Sequence, residues 1–239
     1  MLSSPTKLLE QWQETRSALK QKATISQSEV NRLIEEYHSL HQWLRPGESD
    51  EWFDLVNDQG ERYGVTAPRW LCHAAGLRHY SVNAVIRCAN DRGAFLLLQL
   101  RSWNKDSDPG CLDLAVGGHP QMGVSPEDGM YQEMQEEIGL EKEDLVGGRF
   151  ETFFAGTSYN EKPAENNFNK EWCIFYRGAI RAETLEKIHF SDGEVGGLFL
   201  FPEEREHELL NQQTLPLAGC LKSYLSRTRE TAIEGKVKN

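Results

Sequence analysis

The chain has 239 residues, of which 38% are hydrophobic and 26% are charged, and its formal net charge is -11 at pH 7. This composition is typical of a soluble folded protein and excludes an intrinsically disordered chain. The acidic balance argues against a nucleic acid polymer as the main partner, because polyanions are bound by basic surfaces. A small phosphorylated ligand stays possible, since a bound divalent cation can supply positive charge locally.

The N-terminal residues and the cysteines bear on where the protein works. Met1–Pro5 shows no basic flank followed by an apolar core, so we expect no signal peptide. The longest apolar run, around Ala94–Leu100, is too short to cross a bilayer, so we expect no membrane partner. The five cysteines are scattered and form no C-x-x-C pair, which favours reduced thiols in a cytoplasmic protein.

Residues 1–47 are predicted to form a helical hairpin. The pair Ser4-Pro5 provides a capping oxygen and then a ring that fits the first helical turn. Ser26–Glu29 reads as a capping box for a second helix, and Arg45–Asp50 as a linker. We expect this hairpin to pack against a second domain, residues 48–239, or to mediate a homodimer.

From Trp52 onward, strand and helix candidates follow one another irregularly. The predicted strands are Trp52–Val56, Tyr80–Cys88, Ala94–Arg101, Cys111–Val116, Arg149–Phe154, Glu171–Ala179 and Gly197–Phe201. One helix is predicted from Ser125-Pro126 to Gly139, and two more after Pro202 and Pro216. Because the alternation is irregular, we predict an α+β fold with a mixed sheet and helices packed on it.

The informative segment is a glycine-rich loop followed by an acidic helix. Glu133, Glu136 and Glu137 are three and four residues apart, so they share one face of that helix. Three carboxylates there repel one another, and a bound hard cation such as Mg²⁺ or Mn²⁺ relieves the repulsion. An acidic run on a helix is more often a solvated surface. The preceding Gly117 and Gly118 weaken that interpretation, because glycine lets the backbone approach a metal or a phosphate closely.

This segment resembles the Nudix box, whose pattern places glutamates after a glycine loop and ends at a glycine and an aliphatic residue. The matching residues are Gly118, Glu133, Met134, Glu136, Glu137, Gly139 and Leu140. Two positions depart from the pattern, because Val124 stands in place of the first glutamate and Gln132 in place of the arginine. The resemblance implies an α/β/α sandwich in which the three glutamates, with the Gly117 carbonyl, bind the metal.

The loop also resembles that of the isopentenyl-diphosphate isomerases, a branch with the same fold. Gly117-Gly118-His119-Pro120-Gln121-Met122-Gly123 corresponds to their Cys-Gly-His-Pro-Gln loop. The resemblance implies that His119 and His79 are metal ligands, and that Glu171 is both ligand and acid. His73 lies near a third histidine of that family but is one residue out of place. Gly117 occupies the position of the catalytic cysteine, and Asn169 that of a second glutamate.

These observations predict a magnesium-dependent hydrolase that cleaves a diphosphate linkage in a nucleoside diphosphate derivative or a similar small molecule. Glu136 is the first choice for the group that takes the proton from water, with Glu171 or Glu194 as alternatives. We expect substrate selectivity to come from a loop at Tyr159–Asn169. Two rival functions stay open, namely an isomerase of isoprenoid diphosphates and a binding or regulatory module without turnover.

Overall fold

A computed structural model describes residues 5–105, 107–163, 166–191, 193–212 and 214–237. Side chains are described within those ranges except at 5, 6 and 229–237. The chain divides into two compact units. The first unit comprises Met1–Ser81, His119–Pro126 and Ala155–Ile174, and the second Val82–Gly118, Glu127–Phe154 and Phe175–Asn239.

Six α-helices are described, and most begin or end at the predicted signals. They are α1 (Pro5–Lys20), α2 (Gln27–Tyr37), α3 (His41–Leu44), α4 (Arg69–Ala75), α5 (Pro126–Ile138) and α6 (Gly219–Val237). The Ser26 hydroxyl accepts a hydrogen bond from the Glu29 amide at 3.3 Å, which caps α2 as predicted. The proposed cap at Ser4 lies outside the described residues. After Pro202 the chain forms a 3-10 helix, Glu203–Asn211, where a further helix was predicted.

Nine strands are described, and together with the helices they confirm the predicted α+β class. They are β1 (Trp52–Val56), β2 (Arg62–Pro68), β3 (His79–Asn90), β4 (Gly93–Arg101), β5 (Leu112–Leu114), β6 (Val116–Gly118), β7 (Glu151–Lys162), β8 (Asn167–Arg181) and β9 (Val195–Pro202). Antiparallel pairs join β1 to β2, β3 to β4 and β6, and β4 to β5 and β9. A parallel bridge links Leu112 and Leu217.

Two local predictions were wrong, and two elements were missed. The single strand expected at Cys111–Val116 is two short strands, because the chain changes partner at Ala115, from β4 to β3. Most of the expected loop at Tyr159–Asn169 belongs to β7 and β8, whose mutual pairing orders a polar stretch that looks loop-like by composition. The hairpin strand β2 and the helix α4 were missed, although Pro68 and Gly76 flank α4 as start and stop signals.

Each unit has a buried apolar core. In the first unit, Trp12 of α1, Leu33 of α2 and Leu71 of α4 are buried in one cluster with Leu55 of β1. The N-terminal helices therefore share their core with residues beyond 47, and a separate hairpin domain stays a prediction. In the second unit, Met130, Met134 and Ile138 form the expected buried row of α5. Among the described residues, no helix is long and apolar enough to span a membrane.

Candidate active site and metal centres

The acidic helix α5 is held in place by local sequence signals on both sides. Pro126 opens it, and Glu127 and Asp128 occupy the first turn, where the helix dipole favours negative charge. Gly139 ends it with a φ of +69°, a conformation that glycine adopts without strain. The buried row of Met130, Met134 and Ile138 fixes which face of α5 turns to solvent.

Glu137 is the most deeply buried of the three glutamates, with 1% of its surface exposed. Its Oε2 accepts hydrogen bonds from the Gly117 amide at 3.0 Å and from the Gln99 side-chain amide at 3.2 Å. Its Oε1 is buried and has no hydrogen-bond partner among the described residues. Burial raises the pKa of Glu137 to about 8. The charge of Lys105 acts to lower this pKa, and the charge of Glu133 acts to raise it. A positive ligand would therefore stabilise the ionised form.

Glu133 lies one turn earlier on α5 and reaches the glycine loop. A Cβ atom built on Gly118 would stand 2.1 Å from the Glu133 Cδ and 2.2 Å from its Oε1. Glycine at position 118 leaves room for this carboxylate, and any larger residue would displace it. Glu136 is exposed on the same helix, while Glu133 is half-buried.

A lysine completes the charge pattern around α5. Lys105 forms an ion pair with Glu194, whose side chain is 44% exposed. The Lys105 charge also acts on Glu137, so it offsets part of the carboxylate repulsion. Sequence reasoning missed Lys105 and Gln99, because each is more than thirty residues from Glu137 along the chain. The partnerless Oε1 of Glu137 and the carboxylate of Glu133 suit a hard divalent cation, which prefers oxygen ligands.

A cysteine at position 117, as in the isomerases, would displace a neighbouring side chain. A Cβ atom at Gly117 would meet the Asn83 Oδ1 at 2.9 Å and the Val82 carbonyl oxygen at 3.5 Å. A side chain at 117 therefore requires Asn83 to move. The Gly117 amide donates a hydrogen bond to Glu137, and glycine has no side chain that could transfer a proton.

In the first unit, three histidines converge. The ring nitrogens that His73, His79 and His119 can offer to a metal ion all lie within 4.8 Å of one another. Phe53 stacks on the rings of His79 and His119, with centroids 4.9 Å and 5.2 Å apart. Sequence reasoning rated His73 below the other two, and the structure brings it into the cluster.

Hydrogen bonds leave one nitrogen of His73 and one of His79 available. The His73 Nδ1 lies 2.7 Å from the Glu48 carboxylate, and the His79 Nδ1 lies 2.9 Å from the Leu77 carbonyl. Both acceptors require N–H at Nδ1, which leaves each Nε2 with a free lone pair. Both Nε2 atoms are buried without a partner among the described residues. A carboxylate or carbonyl behind a histidine is the usual support of a metal ligand.

Burial keeps His73 and His79 neutral at pH 7. Burial lowers the pKa of His73 to about 4. Burial, together with His119 and His73, lowers the pKa of His79 well below its ordinary value of 6.5. Burial alone would raise the pKa of Glu48, but hydrogen bonds from His73 and Arg45 bring it down to about 2. Neutral rings beside an ionised carboxylate are in the state that binds metal.

Glu171 joins the histidine cluster from β8. Its Oε1 lies 3.0 Å from the His119 Nε2, and its Oε2 accepts a hydrogen bond from the Ser81 hydroxyl at 2.8 Å. Burial alone would raise the pKa of Glu171, but the hydrogen bond and charge of His119 hold it well below its ordinary value. Such a carboxylate is a weak base and a good anionic ligand.

The predicted site residues thus fall into two groups. Gly117, Glu133 and Glu137 come together in the second unit, where Glu136 is exposed on α5 and Glu194 is paired with Lys105. His79, His119 and Glu171 come together in the first unit, joined by His73. Glu48 was missed because it precedes His73 by 25 residues and lies in a stretch assigned as linker.

Comparisons with known proteins agree on one family. Residues 77–217 match the NUDIX domain. Nudix hydrolase 3 of Arabidopsis thaliana is 30% identical over 169 residues, which cover 69% of this chain and 21% of that protein. A Nudix hydrolase of Deinococcus radiodurans is 36% identical over 162 residues, covering 66% of this chain and 82% of that protein. The match thus spans about a fifth of the Arabidopsis protein and most of the bacterial one.

A solved structure supports the fold. The crystal structure of DR0079 from Deinococcus radiodurans superposes with a TM-score of 0.54 at 22% sequence identity. The superposition covers 74% of this chain and 98% of that one. It confirms the predicted sandwich fold. The resemblance to isomerases finds no support in these relatives.

Proposed function

The chain belongs to the Nudix hydrolase family, whose members hydrolyse phosphoanhydride bonds, and on that premise we propose that it cleaves a nucleoside diphosphate derivative or a similar small metabolite with magnesium or manganese. The observation that carries the proposal is the Glu137 carboxylate, buried with one oxygen partnerless and Glu133 beside it on α5. Three further features of the chain support it. They are the space that Gly118 leaves for the Glu133 carboxylate, the hydrogen bond from the Gly117 amide to Glu137, and the ion pair between Lys105 and Glu194.

Glu133, Glu136 and Glu137, with the Gly117 carbonyl, would hold the divalent cation. A cation held there would neutralise the diphosphate and make a bound water more acidic. Gly117 and Gln99 fix the orientation of Glu137 by donating to its Oε2. Lys105 is paired with Glu194, and its charge also favours the ionised form of Glu137.

We assign the proton transfer from water to Glu136. It is exposed on α5, so a substrate and a water can reach it. Glu171 is disfavoured, because its hydrogen bonds to His119 and Ser81 keep it ionised and weakly basic. Glu194 is half-exposed but committed to Lys105. We therefore give Glu171 the role of ligand in the histidine cluster.

We further propose that His73, His79, His119 and Glu171 form a second metal centre. Replacing His79 by Gln is expected to abolish it, because the Nε2 lone pair is lost from a buried position. The measurement is a cobalt(II) titration followed by visible absorption, which reports histidine-bound cobalt without turnover. His38→Gln, an exposed histidine on the same unit, is the control and should keep the absorption band. An unchanged band in His79→Gln would contradict the assignment.

The substrate class is testable by screening a library of diphosphate compounds with magnesium and manganese. We expect release of inorganic phosphate, or of a nucleoside monophosphate, that depends on the added metal. Nucleotide binding without release of either product would instead favour the regulatory module, for which Val124 and Gln132 in the box give some support.

For the isomerase alternative, we expect no interconversion of isopentenyl and dimethylallyl diphosphates. Proton transfer at carbon needs an acid–base pair, and Gly117 offers none. Incubation in heavy water, followed by mass spectrometry of both diphosphates, measures the exchange. Enzyme-dependent deuterium incorporation that disappears in Glu171→Gln would contradict the hydrolase assignment.

A further inference from the structure

A basic cleft lies in the first unit, in a chain whose net charge is -11. Its volume is about 140 Å³, and its charged lining residues are Arg16, Lys20 and Lys170. Phe168 and Tyr159 form the aromatic part of the wall. Three cations around one small cleft create a locally positive potential in a protein of negative net charge.

The cleft and the histidine cluster use opposite faces of β8. Side chains alternate along a strand, so Phe168 and Lys170 share one face while Asn169 and Glu171 share the other. Glu171 contacts His119, whereas Phe168 and Lys170 line the cleft. The cleft is therefore distinct from the histidine cluster.

Two of the cations have their positions fixed by neighbours. The Arg16 guanidinium lies 3.5 Å from the centre of the Phe168 ring, which holds it over the ring. Lys20 forms an ion pair with Glu161. Among the described residues, Glu161 is the carboxylate that forms an ion pair at this end of the cleft.

Lys170 lies at the other end of the cleft, and Arg78 lies beside it in a neighbouring cavity. A smaller cavity of about 20 Å³ shares Gly76 and Lys170 with the cleft and is lined by Arg78. The Arg78 Nε and Nη1 are buried and have no hydrogen-bond partner among the described residues. The two cations line the same small cavity while the Arg78 guanidinium keeps unpaired donors, and an anion would satisfy those donors.

We propose that this cleft binds a small phosphate-bearing anion. A guanidinium beside an ammonium suits phosphate, because the planar fork and the point charge provide several charge-assisted hydrogen bonds. The volume is below the roughly 300 Å³ at which drug-sized ligand sites begin, so a whole nucleotide does not fit. Inorganic phosphate, pyrophosphate or a compact sugar phosphate does.

The test is calorimetric titration of the metal-free protein, in EDTA, with pyrophosphate, inorganic phosphate and ribose 5-phosphate. Without a metal, the carboxylates of α5 repel these anions, so binding there does not contribute. We expect at least one of the three to bind, and Arg78→Met and Lys170→Met each to weaken it by about tenfold or more. Binding of phosphate or pyrophosphate would identify an inorganic anion as the ligand, and binding of ribose 5-phosphate would identify a phosphorylated metabolite.

Arg32→Met is the matched control, because Arg32 is exposed on α2 and pairs with Glu36. It removes the same charge and should change the affinity by less than about twofold. Arg78→Met should fold normally, since two of the Arg78 donors have no partner to lose. Lys170→Met tests the same cleft from β8. Absence of binding by the wild type, or equal losses in Arg32→Met, would overturn the proposal. Neither outcome bears on hydrolysis, because no metal and no turnover are involved.

Discussion

Glu137→Gln is expected to lower metal-dependent hydrolysis by about a hundredfold or more while the protein stays folded. The amide keeps the shape of the side chain and removes the charge that faces the cation. It also replaces one oxygen by a group that cannot bind a metal ion. The measurement is initial rate against magnesium concentration, with metal affinity from calorimetry.

The same variant should stabilise the metal-free protein. The pKa of Glu137 is raised from 4.5 in the unfolded chain to about 8 in the fold. Between those pH values the unfolded chain loses its proton first, so the wild type loses stability as the pH rises. Glu137→Gln has no carboxyl group to titrate at this position, so its stability does not fall in this way. At pH 8 its free energy of unfolding, measured in urea, should exceed that of the wild type by on the order of a few kcal/mol.

The control for both measurements is Glu127→Gln, which makes the same chemical change at an exposed position on the same helix. It should leave the rate and the pH dependence of stability close to wild type. Near-normal activity of Glu137→Gln at limiting magnesium would remove Glu137 from the metal site. A wild-type stability that does not fall between pH 5 and pH 8 would mean that the carboxylate is ionised without a cation.

The spacing of Glu133 and Glu137 and the glycine loop before them were enough to predict that both carboxylates lie on one helix after that loop. Helical periodicity places residues four apart on one face, and Gly139 marks the end of the helix. The depth of burial of Glu137 did not follow from that pattern. One of its buried contacts comes from Gln99 of β4, which is 38 residues away along the chain. Local patterns therefore predict which residues share a helix face, and tertiary contacts decide their charge state.

The histidine cluster was predicted less completely, for the same physical reason. His119 and His79 were selected by resemblance, whereas His73 is at an irregular spacing. His73 is placed in the cluster by α4, which was not predicted, and is oriented there by its hydrogen bond to Glu48. The strands β7 and β8 were also predicted too short, because polar residues are ordered there by pairing with each other and not by their own preference.

Gly118→Ala is expected to weaken metal binding by about ten- to a hundredfold and to lower hydrolysis accordingly. The new methyl group would stand 2.1 Å from the Glu133 Cδ, so the carboxylate must leave its position. The obstacle is the end of a flexible side chain, and the φ of Gly118 is not in the left-handed region, so the fold should survive. Calorimetry with manganese and a thermal unfolding curve measure the two effects separately.

A double-mutant cycle identifies Glu133 as the cause. If the methyl group acts by displacing Glu133, then adding Gly118→Ala to Glu133→Ala should change metal affinity little further. Gly197→Ala is the matched control, because a Cβ atom there meets nothing within 4 Å. It should bind metal like the wild type. Additive losses in the double variant would show that the methyl group damages the loop itself, and Glu133 would then lose its role as the ligand that Gly118 accommodates.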